Sequence, residues 1–169
     1  QLIFELRRQY FANGFYGVEV DTEVSERDKN QVDITVKVEE GKIAKIREIS
    51  IIGNELFSDK ELLKEFDLTT PRWNSFYKKT DQYSQFKLSA DLEKLSSFYQ
   101  DRGYLRFQID SVQVSLSDDK RDVYITVNVE EGEQYTVSKV DVAGDYSIPQ
   151  DELEQLVPLR SGDVFARSK

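Results

Sequence analysis

The chain has no cysteine, no histidine and no methionine among its 169 residues, and a single tryptophan. Without cysteine there is no disulfide framework, no zinc finger and no thiol nucleophile. Without histidine the commonest general base and the commonest imidazole metal ligand are gone as well. Together these absences count against most enzymes, so neither catalysis nor a cofactor nor a metal is expected. No run approaches the roughly 18 apolar residues of a membrane-crossing helix, and the start lacks the pattern of a signal peptide. The missing methionine extends to the first position, where "QLIFELRRQYF" reads as the middle of a longer polypeptide. An excised fragment is the expectation.

What is present is enough to fold. Hydrophobic residues make up 38% and aromatic residues 12%, so cores can be buried and the 33% of charged residues does not signal disorder. A net charge of -9 repels phosphate backbones and anionic lipid surfaces, so nucleic acid is not an expected partner.

The chain repeats itself. Residues 30–41 and 121–132 agree at eight of twelve positions, including the phrase Val-Glu-Glu-Gly that closes each. At the same offset Ile49, Ile51, Gly53, Glu61, Leu62 and Leu68 meet Val140, Val142, Gly144, Glu152, Leu153 and Leu159. Backward, after a slip of two residues, Leu6, Tyr10, Gly14 and Phe15 meet Leu95, Tyr99, Gly103 and Tyr104. The period of about 90 residues marks a tandem domain rather than a short solenoid unit.

One copy, residues 42–132, is complete. Ile49 and Ile51 alternate with Glu48 and Ser50 before the turn pair Gly53-Asn54, which predicts a first strand over 45–52. Ser58 followed by Glu61 forms a capping box, and Phe57 with Leu62 fits a hydrophobic staple, so a short helix is expected to about Phe66. From Asp81 onward Leu88, Leu92, Leu95 and Tyr99 recur on one helical stripe that stops at Gly103. Two alternating strands follow, over 104–116 and 123–130, joined by a polar turn at 117–120. The predicted class is α+β: tandem repeats of β-α-α-β-β order, each a three-stranded mixed sheet with two helices on one face. Residues 1–41 are then the closing helix and hairpin of one repeat, and residues 133–169 the opening strand and helix of another. The glutamates of Val-Glu-Glu-Gly read as solvated charges at the joints, because neighbours on an extended chain face opposite ways and no third metal ligand is in sight.

With its "IREISIIGNELFSDKEL", its "KLSADLEKLSSFYQDRGYLRFQID" and its "VEEG" joints, the chain resembles the POTRA repeats over its whole length. These are periplasmic modules of outer-membrane barrel-assembly proteins in Gram-negative bacteria. The resemblance implies the end of a second repeat, a whole third and the start of a fourth, in a parent anchored by a membrane barrel that is absent here. It implies no enzymatic activity. The implied partners are accessory outer-membrane lipoproteins of the assembly complex and unfolded outer-membrane proteins.

Periodicity exposes one irregularity in the complete copy. Leu105, Phe107 and Ile109 are apolar at odd positions, whereas Val112, Val114 and Leu116 are apolar at even ones. The phase changes at Asp110-Ser111, the signature of a β-bulge, while Val18, Val20 and Val24 of the partial copy keep theirs. Two readings stand: the bulge returns Val112, Val114 and Leu116 to the core, or it leaves them accessible beside an unpaired edge that accepts a guest strand through its main chain. The resemblance implies that the strand after the long helix is an edge, the proposed site for pairing with client strands and, with its hairpin, the docking place of an accessory lipoprotein. Carried over by position, the partner-binding set is Arg106, Gln108, Asp110, Ser111, Val112, Val114, Leu116 and Tyr124. Val123, Ile125, Val127 and Val129 are the expected buried face of the neighbouring strand, with Tyr124 and Thr126 opposite.

Trp73, Phe76 and Tyr77 stand among lysines in a loop between the helices, where covering a core or joint is the preferred role over sugar or nucleic-acid binding. The carboxylate pairs Asp118-Asp119 and Asp151-Glu152 read as turn and helix-start residues.

Overall fold

A computed structural model of the chain describes residues 1–71, 79–145, 147, 149, 152–153 and 156–168. The aromatic loop with Trp73, Phe76 and Tyr77, and Asp151 of the second carboxylate pair, lie outside the described residues. Helix α1 (Leu2–Ala12) leads to the hairpin β1 (Glu19–Arg27) and β2 (Gln31–Glu39). The complete copy follows as β3 (Lys45–Ile52), α2 (Asp59–Leu62), α3 (Gln85–Gln100), β4 (Gln108–Leu116) and β5 (Asp122–Glu130). Its sheet has the order β3-β5-β4, with β3 parallel and β4 antiparallel to the central β5. This is the predicted mixed sheet. Among the described residues no helix is long and apolar enough to cross a membrane.

The core forms where the two periodicities meet. From β5, Val123, Ile125, Val127 and Val129 are buried, and they cluster with Ile46, Ile49 and Ile51 of β3, Leu62, and Leu88, Leu95 and Tyr99 of α3. Burying such a branched side chain contributes roughly 1.5–3 kcal/mol each. Tyr99 stacks on Phe107 with ring centroids 4.1 Å apart, and Phe57 meets Phe98 and Tyr99 edge-on at 5.0 and 5.3 Å. That aromatic patch closes the end of the core nearest Gly103.

Two elements are shorter than the pattern predicts. Helix α2 is one turn: its start is fixed by Glu61, whose carboxylate takes the Ser58 N–H at 3.1 Å and the Ser58 hydroxyl at 2.8 Å. These bonds hold the Glu61 carboxyl below its usual range. After Leu62 the chain tightens into three-residue turns, Lys64 N–H to Glu61 C=O and Glu65 N–H to Leu62 C=O. The turn then ends on Asp91, a carboxylate inside the apolar stripe of α3 that accepts the N–H groups of Asp67 and Leu68 at 2.9 and 2.8 Å. Strand β4 likewise starts at Gln108 rather than at Tyr104, because residues 104–107 form a turn closed by the Phe107 N–H on the Tyr104 carbonyl at 3.1 Å. The extended segment 137–143 has no ladder, although its counterpart 91 positions earlier is β3. Strand β3 is held by β5, and among the described residues no such strand follows 143.

The joints are alike. Ala44 N–H donates to the Gly14 carbonyl and Tyr135 N–H to the Gly103 carbonyl, both at 2.8 Å. Tyr83 N–H then donates to Ala44 C=O at 3.1 Å, and Phe165 N–H to Tyr135 C=O at 3.0 Å. Single bridges Lys45–Gln82 and Thr136–Val164 complete each joint. Both glycines have φ near +90°, +83° and +92°, and a Cβ at either would press within 2.7–2.8 Å of an atom across the joint. Repetition in sequence has become repetition in backbone hydrogen bonding.

One sequence expectation at these joints fails. Glu130 is exposed, as a joint charge should be, but Glu131 is 8% exposed. Its carboxylate accepts the Tyr99 hydroxyl at 2.7 Å and the N–H groups of Glu55 and Leu56 at 3.0 and 3.1 Å. It is not a solvated charge: it is a clamp tying the end of β5 to α3 and to the loop after β3. Burial first, and then the bond to Glu131, push the Tyr99 phenol above its ordinary range.

Candidate functional site

Strand β4 is an edge of the sheet, since among the described residues β5 is its only ladder partner. Its pairing shifts by one residue between Ile109 and Ser111, so Asp110 is the extra residue of a bulge, at the point where the apolar phase changes. Below the bulge Val112, Val114 and Leu116 pair with Val127, Ile125 and Val123. Directly paired residues share a face, so the bulge returns these three side chains to the helix-covered side. They remain accessible nonetheless: each is 37% exposed, against 0–1% for their partners. The helices cover β5 and stop short of the rim. Each of the two sequence readings thus describes half of the arrangement.

Among the described residues, the backbone of the same three residues is the part left without a ladder partner. At the hairpin mouth Ser117 N–H donates to Asp122 C=O at 2.9 Å, and bonded and non-bonded pairs alternate along an antiparallel ladder. Ser115, Gln113 and Ser111 therefore bond inward to β5, while Leu116, Val114 and Val112 turn N–H and C=O outward. A guest strand would meet three residues whose main chain is free and whose side chains form an apolar margin. On the other side of the bulge, Leu92, Glu93, Ser96 and Ser97 of α3, Ile109 of β4 and Arg167 line an open groove.

The other predicted residues fall elsewhere. Asp110 is exposed at the bulge. Ser111 takes the Asn128 amide at 2.9 Å on the open face, and Tyr124, 37% exposed, lies on that same face, opposite Ser115 on the central strand. Gln108 donates to Glu130 at 2.7 Å. Arg106 lies in the turn before β4, its guanidinium 5.8 Å from the Tyr135 ring. Arg106 and Gln108 thus line the cleft at the second joint with Gly132 and Tyr135. The hairpin turn itself is braced: Ser117 donates its hydroxyl to Asp119 at 2.6 Å and accepts the Asp122 N–H at 3.0 Å. The bond from Ser117 is the first cause holding the Asp119 carboxyl low. Sequence reasoning missed Leu92 and Ile109 as groove residues, although both follow the apolar periods of their elements. Among the described residues there is no group of three or more carboxylates placed to hold a metal ion.

The family model for POTRA, described as surface antigen variable number repeat, matches residues 1–41 and 44–132. The outer membrane protein assembly factor BamA of Neisseria meningitidis serogroup B is 31% identical over 170 residues, covering 100% of this chain and 21% of that protein. BamA of Buchnera aphidicola is 34% identical over 142 residues, 83% of this chain and 23% of that protein. The chain thus spans about a fifth of the length of these relatives. Among solved structures, the crystal structure of Haemophilus influenzae BamA POTRA3-5 superposes with a TM-score of 0.58 at 21% identity, over 98% of this chain and 63% of that one. At that identity the likeness speaks for the fold.

Proposed function

The chain belongs to the POTRA family, and from that premise we propose that it is a periplasmic module of an outer-membrane protein assembly machine whose β4 edge receives partner strands. Unfolded outer-membrane proteins are the proposed clients, captured by β-augmentation, and accessory outer-membrane lipoproteins of the complex are the proposed partners at the same edge and hairpin. The relatives named as assembly factors support the setting. The observation that carries the mechanism is the outward main chain of Val112, Val114 and Leu116 beside their partly exposed side chains. Main-chain pairing makes little demand on a guest's sequence, which suits a receptor for many clients. Asp110, Ser111 and Tyr124 lie beside this edge, Arg106 and Gln108 at the second joint, and together they extend the proposed contact for a folded partner. The module acts by binding, without catalysis, and takes no cofactor.

The matching joints favour a second reading, a spacer in which only the fixed relation between repeats matters. Two variants separate the readings. Val114→Asp places a charge where a guest strand would pair, on a side chain 37% exposed beside the buried Ile125, so circular dichroism matching the parent accompanies the binding measurement. Binding of an extended peptide from an outer-membrane barrel strand is expected to weaken at least about tenfold, on the order of 1.4 kcal/mol. Gly103→Ala strains the joint and leaves peptide binding as it was. A spacer requires the reverse: activity of the parent assembly unaffected by Val114→Asp and impaired by Gly103→Ala.

A further inference from the structure

The β4 edge of the complete repeat lacks the devices that keep a strand from pairing with its own kind. Charged side chains, proline and short length blunt such edges, and β1, the counterpart of β4 in the first repeat, carries Glu19, Asp21 and Glu23 in alternation. From Ser111 to Leu116, β4 has neither a charge nor a proline. Charge bounds this window instead, with Asp110 at the bulge on one side and Asp118 and Asp119 of the hairpin turn on the other. Within it Val112, Val114 and Leu116 stand on the helix-covered face and Ser111, Gln113 and Ser115 on the open one.

We propose that two copies of the chain pair β4 against β4, antiparallel about a two-fold axis through Val114, so that their three-stranded sheets join into one. The outward N–H and C=O groups belong to Val112, Val114 and Leu116, and these residues form the bonded pairs: Val114 with the partner's Val114, and Val112 with the partner's Leu116. Gln113 then stands opposite the partner's Ser115 in a non-bonded pair. Directly opposed residues share a face, so apolar meets apolar on the helix side of both copies and polar meets polar on the open side. Neighbouring registers lose this match. Moving the axis to Gln113 sets Leu116 against the partner's Asp110, and moving it to Ser115 sets Val112 against the partner's Asp118. The contact is isologous and closes at the dimer. A strand pair is a small contact of the weak, transient class. Asp110 faces the partner's Asp118 and each copy carries -9, so salt strengthens the pairing. The proposal rests on the same edge as the functional reading: self-pairing and client pairing use the same outward groups and exclude each other, which makes the dimer the closed state of that edge.

Disulfide trapping on the full chain reads both the contact and its register, and the lack of cysteine leaves no background. Gln113→Cys and Ser115→Cys lie at exposed positions of the open face, and circular dichroism matching the parent shows that neither alters the fold. The variants are mixed at up to about 1 mM in a glutathione redox buffer, so that even a millimolar Kd leaves dimer to trap. The mixture is expected to form cross-linked dimer at least about tenfold faster than either variant alone, because like positions stand diagonally about 7–8 Å apart, beyond the Cα separation a disulfide accepts. Val114→Asp added to both variants abolishes the product. No product at the highest concentration, a single variant that cross-links as fast as the mixture, or a product that survives Val114→Asp overturns the proposal. The barrel-strand peptide separates this proposal from the functional reading. Peptide that suppresses the cross-link supports both. A cross-link that saturating peptide leaves unchanged keeps the dimer and sinks client capture at β4, whereas peptide bound at β4 in a chain that never cross-links keeps client capture and sinks the dimer.

Discussion

Glu131→Ala is expected to destabilise the complete repeat by on the order of 3 kcal/mol, whereas Glu40→Ala, the same change in the same motif, costs less than about 0.5 kcal/mol. The contrast follows from what each carboxylate holds. Truncating Glu131 leaves the buried Tyr99 hydroxyl and the N–H groups of Glu55 and Leu56 without their acceptor. An unsatisfied buried donor costs about 1–3 kcal/mol, so three donors exceed the loss of any single exposed bond even if water reaches some of them. Glu40 is exposed and holds only the Tyr10 hydroxyl among the described residues, and water replaces it at little cost. Urea denaturation followed by circular dichroism, with both variants beside the parent, reads the two values. Glu131→Gln should fall between them, since an amide retains one of the two acceptor oxygens.

The second large effect is at Gly53, where β3 ends. Its φ is +96°, and a Cβ there would sit 2.2 Å from the Val129 carbonyl oxygen of β5. No side chain can move aside to relieve that contact, because the obstacle is backbone. Alanine therefore incurs the left-handed penalty of about 1–2 kcal/mol and also forces the end of β3 off the central strand. A total on the order of 3–4 kcal/mol is expected. Gly144 is the repeat counterpart of Gly53, with φ at +140° and nothing within 4 Å of its Cβ position. Gly144→Ala is expected to leave the stability of the complete repeat unchanged. Equal losses at both glycines in thermal melts would show that the close approach of β3 to β5 is not what Gly53 serves.

Both comparisons use one property of the chain: the same words occur twice, in surroundings that differ. That property also decides what was legible in the sequence. The β5 alternation, the Leu88 to Tyr99 stripe, the capping box at Ser58 and the bulge at Asp110 all came through, because each is written in side-chain type at a fixed period. Glu131 and Asp91 did not, because their partners are backbone N–H groups, and a backbone donor leaves no mark in the sequence. Signals for both existed all the same. Asp91 sits three residues after Leu88 and four before Leu95, inside an apolar stripe where an unpaired charge would be costly. The pairs Tyr10–Glu40 and Tyr99–Glu131 recur with the repeat, which a solvated joint charge does not require. The turn at 104–107 hid behind a false alternation: Leu105 and Phe107 share a parity, yet Leu105 is 42% exposed and Phe107 6%. The edge was half legible. Side-chain phase located the bulge, but where the helical cover ends depends on how far α3 reaches across the sheet, and no local pattern encodes that.

The central claim is that the outward main chain of β4 receives a strand, and amide-resolved NMR of the chain during titration with an extended barrel-strand peptide tests it most directly. The account predicts shifts concentrated over residues 111–116, with the amides of Val112, Val114 and Leu116 gaining protection from hydrogen exchange while those of Gln113 and Ser115, already bonded to β5, change little. Shifts confined to the joint around Arg106 and Tyr135, or an unchanged β4 at saturating peptide, would contradict it.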